Sequence, residues 1–340
     1  MNFLIFGAGA MGQALGCMLA AGGHQVDFVI RPRFIKAISE EGLKVTGIFG
    51  DFSAPPENCR FLEEIQNADN HYDYILLTTK AYDTAAAIRD IASLGDRAAR
   101  VVSMQNGCGN VELVADCFGP EKTLGARVIT GFAIVRPGLV TITVSADAIH
   151  VGGNVRGAIP QSAHLLAEQL SGAGHPTLAV ADIHQSLFAK LLYNCTLNPL
   201  GAILGVHYGA LVERQETQLL MNNIIDETFA VIRALGGNTP WPDAESYRQI
   251  FYSTLVPATY NHRPSMLQDL ENGKPTEVDA LVGYVSVQGK RFGLPTPTCD
   301  LLTALVKFKE SHREAGLTPI NGISHLSKNL RKQRANIFCK

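Results

Sequence analysis

The residues best placed to do chemistry lie in one stretch, DIHQSLFAKLLYNCTLNPLGAILG, residues 182–205. Lys190, Asn194 and Asn198 recur there at a spacing of four. On a helix, residues four apart drift by about 40° around the axis, so the three form one slowly winding polar line. Ile183, Leu187, Leu191, Leu192, Cys195 and Leu197 surround that line with apolar side chains. An ammonium desolvated in such surroundings is pushed toward its neutral form, and its pKa falls. A lysine shifted that way is a proton donor able to work near neutrality. The two amides would add donors and acceptors without adding charge. The same spacing also fits a plainer arrangement, with Lys190 snorkelling to solvent and Asn198 marking a kink before Pro199.

A second group sits at the N-terminus. Gly7-Ala8-Gly9-Ala10-Met11-Gly12 is a G-x-G-x-x-G run that follows the apolar segment FLIFG (3–7) and opens the helical pattern QALGCMLAAG (13–22). In that context the first glycine allows a tight turn and the second lets backbone approach a pyrophosphate. The third allows close packing of helix on strand, and the helix N-terminus faces the phosphates. The next apolar run, QVDFVI (25–30), holds Asp27 in its interior and ends at Ile30-Arg31-Pro32-Arg33. An acid at the strand end would suit the ribose of NAD. Arg31 there suits the 2′-phosphate of NADP, because a guanidinium fork matches phosphate geometry. Lys80, after Thr78-Thr79, and Asn106, in Gln105-Asn106-Gly107, end two further apolar runs. Lys80 is placed to meet a phosphate or ribose, or simply to end a strand in solvent. Asn-Gly also has a plain reading as a tight turn.

These residues need a scaffold. YILLTT (74–79) and ARVVSM (99–104) read as strands with AYDTAAAIRDIASL (81–94) helical between them. Strand–helix alternation with continuous apolar runs predicts an α/β, Rossmann-type domain with a mostly parallel sheet. Residues 126–153 read as successive strands with a turn at Pro137-Gly138. Residues 164–174 read as a helix and 177–180 as a strand. From Asp182, which with Gln185 can form a capping box, the pattern is all-helical. Its helices include 219–237 and 277–293, the latter closed by Gly293. The expected division is a cofactor domain over 1–182 and a helical domain over 183–340.

The 340 residues allow a core in each part. A formal net charge of −2 gives no reason to expect nucleic acid or an anionic membrane as partner. Seven scattered cysteines without a C-x-x-C argue against a disulfide framework or a metal site. The glycine-broken N-terminus lacks a basic leader, and no run reaches the roughly 18 apolar residues of a membrane span. A cytoplasmic protein is expected. Its apolar-faced helices permit a homodimer without requiring one. The basic segment KNLRKQR (328–334) reads as a solvated helix end.

Taken together, GAGAMG, Arg31, Lys80, QNG (105–107), KLLYNCTLNPLGAI (190–203), SMLQD (265–269) and PTEVDALVG (275–283) resemble the ketopantoate reductase family over roughly residues 1 to 310. The resemblance implies reduction of ketopantoate to (R)-pantoate by NADPH, on the route to pantothenate and coenzyme A. It implies Lys190 as general acid, with Asn194 and Asn198 lining the substrate pocket. Asn106 and Ser265 would hold the substrate. Glu277 would lie beside lysine, substrate and nicotinamide ribose, so Asn106 and Glu277 would border the cofactor as well. Gly7, Ala8, Gly9, Ala10, Met11, Gly12, Arg31 and Lys80 would bind it directly. Local readings compete at two positions: Ser265 could be only an N-cap, and Thr276 with Asp279 could form a capping box around Glu277. The chain departs from some members at Tyr208 and in TGFAIVRPGLV (130–140), either of which could touch the acyl end of a substrate. Other bulky 2-keto acids, a 3-hydroxyacid dehydrogenase, and a non-catalytic NADP(H) sensor are the alternatives.

Overall fold

A strand covered on both faces needs an unbroken apolar run, and FLIF meets that need. In the computed structural model, which describes residues 1–314, β1 (Asn2–Phe6) is buried from Phe3 to Phe6. It pairs in parallel with β2 (Gln25–Val29) on one side and β6 (Tyr74–Leu77) on the other. The chain reaches β2 through α1 (Ala10–Ala21) and leaves it through α2 (Pro32–Glu41). β3 (Lys44–Gly47), β4 (Phe52–Ser53) and β5 (Cys59–Leu62) follow before β6. Then come α3 (Thr84–Ala92), β7 (Val101–Ser103), α4 (Asn110–Phe118) and β8 (Thr123–Arg127). β9 (Thr130–Arg136), β10 (Leu139–Ser145), β11 (Ile149–Gly153), α5 (Gln161–Gly172) and β12 (Thr177–Ala179) complete this half.

The main sheet has eight strands in the order β12-β11-β8-β7-β6-β1-β2-β5, and only the β8–β11 pair is antiparallel. Strand order reverses between β1 and β6, which is where open α/β sheets receive ligands. A second sheet, β4-β3-β10-β9, has four strands. Its hairpin turns at Pro137-Gly138, with Gly138 at φ +77°. The short strands β3, β4 and β5 were not legible in the sequence, because two to four residues cannot display a period-2 pattern. β3 and β4 join β10 and β9 in the second sheet, whereas β5 closes the edge of the main sheet beside β2.

The helical half opens with α6 (Ile183–Leu204), capped by Asp182, whose carboxylate accepts from Gln185 N at 3.1 Å. The first turn of α6 lies close on the sheet because Gly125 and Gly152 leave room. A Cβ at Gly125 would lie 3.3 Å from Ile183 Cγ1, and one at Gly152 3.0 Å from Ile183 Cβ. The helix runs through Pro199 and stops at Gly205, where φ is +72°. Then follow α7 (Tyr208–Val212), α8 (Gln215–Ala234), α9 (Ala244–Ile250), α10 (Val256–Ala258), α11 (Ser265–Glu271), α12 (Val282–Phe292) and α13 (Pro297–Glu314). Leu191, Leu192 and Cys195 of α6 enter one apolar core with Ile224 and Ile225 of α8 and Val282 and Val285 of α12.

Three local expectations are corrected. Residues 277–293 do not form one helix. Val278–Ala280 is a single 3-10 turn, Leu281 breaks the chain direction at φ −110°, ψ −111°, and α12 starts at Val282. The cause is tertiary: the carbonyl of Ala280 accepts from Cys108 N at 3.0 Å instead of continuing a helix. The capping box between Thr276 and Asp279 is replaced by Val278 N donating to Thr276 Oγ1 at 3.2 Å. Ser265 is the first residue of α11 and not its N-cap, which is Pro264. The segment 328–334 lies outside the described residues. Among those described, no helix is long and apolar enough to cross a membrane.

Candidate active site

The glycine loop shows a different demand at each glycine. Gly7 sits at φ +92°, and a Cβ there would fall 2.3 Å from Thr79 Cγ2. A Cβ at Gly12 would meet Thr78 Oγ1 at 2.6 Å and Ile5 Cγ2 at 2.9 Å. A Cβ at Gly9 would find only Gly7 O, at 3.9 Å. Gly7 and Gly12 are therefore fixed by packing, whereas the space beside Gly9 is open. The amides of Gly7 and Ala8 are occupied by Val29 O at 3.3 and 3.2 Å. The helical ladder of α1 begins only with Gln13 N on Gly9 O at 2.9 Å. The amides of Ala10, Met11 and Gly12 stand ahead of that ladder, and the first turn carries no acid. Such a terminus favours an anion, so the loop fits the pyrophosphate of a dinucleotide.

Asp27 is already engaged. It is 5% exposed and accepts from Arg60 Nη2 at 2.6 Å, Arg60 Nε at 3.2 Å, Tyr72 Oη at 2.5 Å and Asn70 Nδ2 at 3.2 Å. Its carboxylate is committed to these partners and is not free for a ribose at the loop. Arg31 instead stands exposed at the start of α2, two residues after the Val29 carbonyl that holds the loop. The neighbouring guanidinium of Arg33 lies over the Phe34 ring, 4.8 Å from its centroid.

Five of the remaining residues named from the sequence, Asn106, Asn194, Asn198, Ser265 and Glu277, converge on one cleft. Asn106, Asn194, Asn198, Ser265, Met266, Asp269, Glu277 and Leu281 line it. Lys190, partly buried one turn before Asn194, donates to the Asn106 side-chain oxygen and to the carbonyl of Val128. Asn106 in turn donates through Nδ2 to Glu277 Oε2 at 3.3 Å. The other Glu277 oxygen accepts from Ala81 N at 3.1 Å. Lys80 donates to Asp269 at 2.9 Å and to Glu277 at 3.4 Å. Polar contact thus runs from α6 through the 105–107 loop to Glu277 and on to α11. The loop is pinned at Gly107, φ +82°, where a Cβ would fall 2.3 Å from Ala280 O.

Electrostatics separate the two lysines. Burial pushes Lys190 down to about 8; Glu277 opposes that fall and the Arg127 guanidinium adds to it. Burial would also lower Lys80, but Glu277 and Asp269 outweigh it and hold Lys80 above its ordinary value. Lys80 therefore stays charged, whereas Lys190 is able to give up a proton near neutral pH.

Asn198 has a second task, because its amide oxygen accepts from Met266 N at 3.4 Å and Ser265 Oγ at 3.5 Å. It thereby meets the otherwise uncapped start of α11. Neither departure named from the sequence lines the cleft. Tyr208 is buried with its ring 5.8 Å from that of Tyr193 and 5.0 Å from that of His262, and residues 130–140 belong to the second sheet. Sequence reasoning missed Asp269, although it lies four residues after Ser265 and so on the same face of α11. It also missed the Val128 carbonyl, which no side-chain pattern could reveal.

Residues 3–154 match the model of the ketopantoate reductase PanE/ApbA family, and residues 182–310 match the model of its C-terminal part. The chain belongs to the ketopantoate reductase family. The 2-dehydropantoate 2-reductase of Aquifex aeolicus is 36% identical over 310 residues, covering 91% of this chain and 97% of that protein. The crystal structure of a ketopantoate reductase from Ralstonia eutropha JMP134 superposes with a TM-score of 0.80 at 28% identity, covering 92% of this chain and all of that one. The ternary structure of a D-mandelate dehydrogenase with NADH and anilino(oxo)acetate reaches 0.79 at 27% identity, over 92% and 99% of the two chains. This family membership and the glycine loop agree on a nicotinamide-dependent oxidoreductase.

Proposed function

We propose that this chain reduces 2-dehydropantoate to (R)-pantoate with NADPH. The observation that carries the reading is the convergence of Asn106, Asn194, Asn198, Ser265 and Glu277 on one cleft, with the Lys190 ammonium bonded at its wall through Asn106. Residues 1–182 would hold the cofactor, with the Gly9 opening and the amides of Ala10, Met11 and Gly12 at the pyrophosphate and Arg31 at the 2′-phosphate. The part from 183 to 340 would bring the acid and most of the substrate contacts.

NADPH, when bound, supplies the hydride. The chain's own part begins with Asn194, Asn198 and Ser265, which orient the keto acid by hydrogen bonds to its oxygens. As the carbonyl carbon accepts hydride, negative charge develops on the carbonyl oxygen. Lys190 Nζ stabilises that charge and transfers a proton to it. The neutral amine then regains a proton from water. Asn106 holds the ammonium at the height of the cleft, and Glu277 keeps its charge balanced across the same amide. Lys80 offsets the two carboxylates, Asp269 and Glu277, that an anionic substrate would otherwise meet.

The test is a comparison of initial rates of NADPH loss with 2-dehydropantoate and with other branched or aromatic 2-keto acids. A clear preference in kcat/KM for 2-dehydropantoate is expected. Faster turnover of an aromatic 2-keto acid would move this chain toward the D-mandelate dehydrogenase it resembles in fold.

A further inference from the structure

The polar line of α6 extends one turn further back than Lys190, to Ser186. Ser186 Oγ lies 2.9 Å from His150 Nδ1 on β11, and His150 Nε2 lies 3.5 Å from Asp147 Oδ2. Asp147 Oδ2 also accepts from Arg127 Nη2 at 2.7 Å, and Arg127 is the register partner of His150 across the β8–β11 pair. The residue after Arg127 is Val128, whose carbonyl accepts from Lys190. A closed circuit results: helix to strand through Ser186 and His150, strand to strand through Asp147 and Arg127, and strand end back to helix through Val128 and Lys190.

Arg127 is an expensive element of that circuit. It is 6% exposed, and its Nε has no hydrogen-bond partner among the described residues. A buried guanidinium left partly unsatisfied is poor value for stability alone. We propose that Arg127, Asp147 and His150 form a positioning unit for Lys190, fixing the end of β8 and the Ser186 turn so that the ammonium is aimed into the cleft. The inference rests on Lys190 being the proton donor.

The charges around Lys190 are arranged on two sides. Glu277 faces it from the turn after α11, with Lys80 and Asp269 beyond. Arg127 faces it from β8, with Asp147 and His150 beyond. Burial, aided by Arg127, keeps His150 below its ordinary value, so it is neutral at pH 7. Arg127 helps hold Lys190 near 8, so removing the guanidinium should raise the lysine.

The experiment compares wild type, R127M/D147N, Ser186→Ala and Lys190→Ala by steady-state kinetics across pH with NADPH and 2-dehydropantoate. The double variant removes both charges together and leaves neither buried alone. It should lower kcat about tenfold, leave the NADPH KM within about twofold, and move the alkaline limb of kcat up by about half a pH unit. Ser186→Ala should lower kcat by about threefold without moving that limb, since it loosens the helix tie and removes no charge. It also provides the decision if the double variant does not fold. A merely structural pair would lower melting temperature and leave the pH limb in place, which overturns the proposal. So does an unchanged kcat in folded Ser186→Ala. Near-wild-type turnover by Lys190→Ala would instead remove the premise, and is distinguishable because it fails whatever the double variant does.

Discussion

Lys190 and Glu277 are joined through one amide: the lysine donates to Oδ1 of Asn106, and Nδ2 of Asn106 donates to Glu277 at 3.3 Å. A direct lysine–glutamate pair would favour the ammonium strongly and hold its proton. The interposed amide orients both groups and weakens that attraction, so desolvation remains the larger influence on Lys190.

Asn106 is thereby placed to set both the aim and the acidity of Lys190. Asn106→Ala is expected to lower kcat by about 10- to 100-fold with a smaller effect on NADPH binding. Asn106→Asp places a carboxylate beside the ammonium, which should raise the lysine pKa and move the alkaline limb of kcat above its wild-type position. A pH profile of kcat for the two variants checks both statements.

As the proposed acid, Lys190 would work only while protonated. With its pKa near 8, kcat should be level below that pH and fall about tenfold per unit above it. Lys190→Ala should cost about 10²- to 10⁴-fold in kcat while the fold persists. Lys190→Arg should not recover it, because a guanidinium keeps its charge but does not release the proton.

The glycines of the loop should separate binding from folding. Gly9→Ala meets open space, at an ordinary φ of −74°, so melting temperature should hold while NADPH affinity drops. Gly12→Ala strikes Thr78 and Ile5, so stability should fall by about 1–3 kcal/mol. Thermal melts with and without NADPH distinguish the two. Equal losses of stability would contradict the assignment of Gly9 to the ligand side.

Arg31 should decide the cofactor. Losing one charge-assisted contact to a phosphate costs about 1.5–3 kcal/mol. Arg31→Ala is therefore expected to raise the NADPH KM by about tenfold or more and to leave the NADH KM nearly unchanged. A parallel rise for both cofactors would place Arg31 away from the 2′-phosphate.

Much of this site was legible because its residues announce themselves locally. G-x-G-x-x-G after a strand, and an ammonium with two amides on one helix line, are short-range patterns, and the structure sets the two amides in one cleft with the ammonium bonded to Asn106 at its wall. The parts that were hidden depend on distant pairing. Glu277 was expected within a helix, but Cys108 takes the Ala280 carbonyl and leaves the glutamate in an irregular turn facing the cleft. Likewise Arg127 meets His150 only because β8 and β11 pair antiparallel, 23 positions apart in sequence. No local propensity encodes either contact.

The engagement of Asp27 has an evolutionary consequence. Its carboxylate ties β2 to Arg60, Tyr72 and Asn70, so it answers to folding. Arg31 stands four residues later in solvent, outside that network. Under the proposed role of Arg31, selection between the two nicotinamide cofactors would act on a surface position whose replacement carries little penalty for folding. With Arg31 at the 2′-phosphate as proposed, cofactor preference would be free to drift in descendants of this chain while the sheet stays fixed.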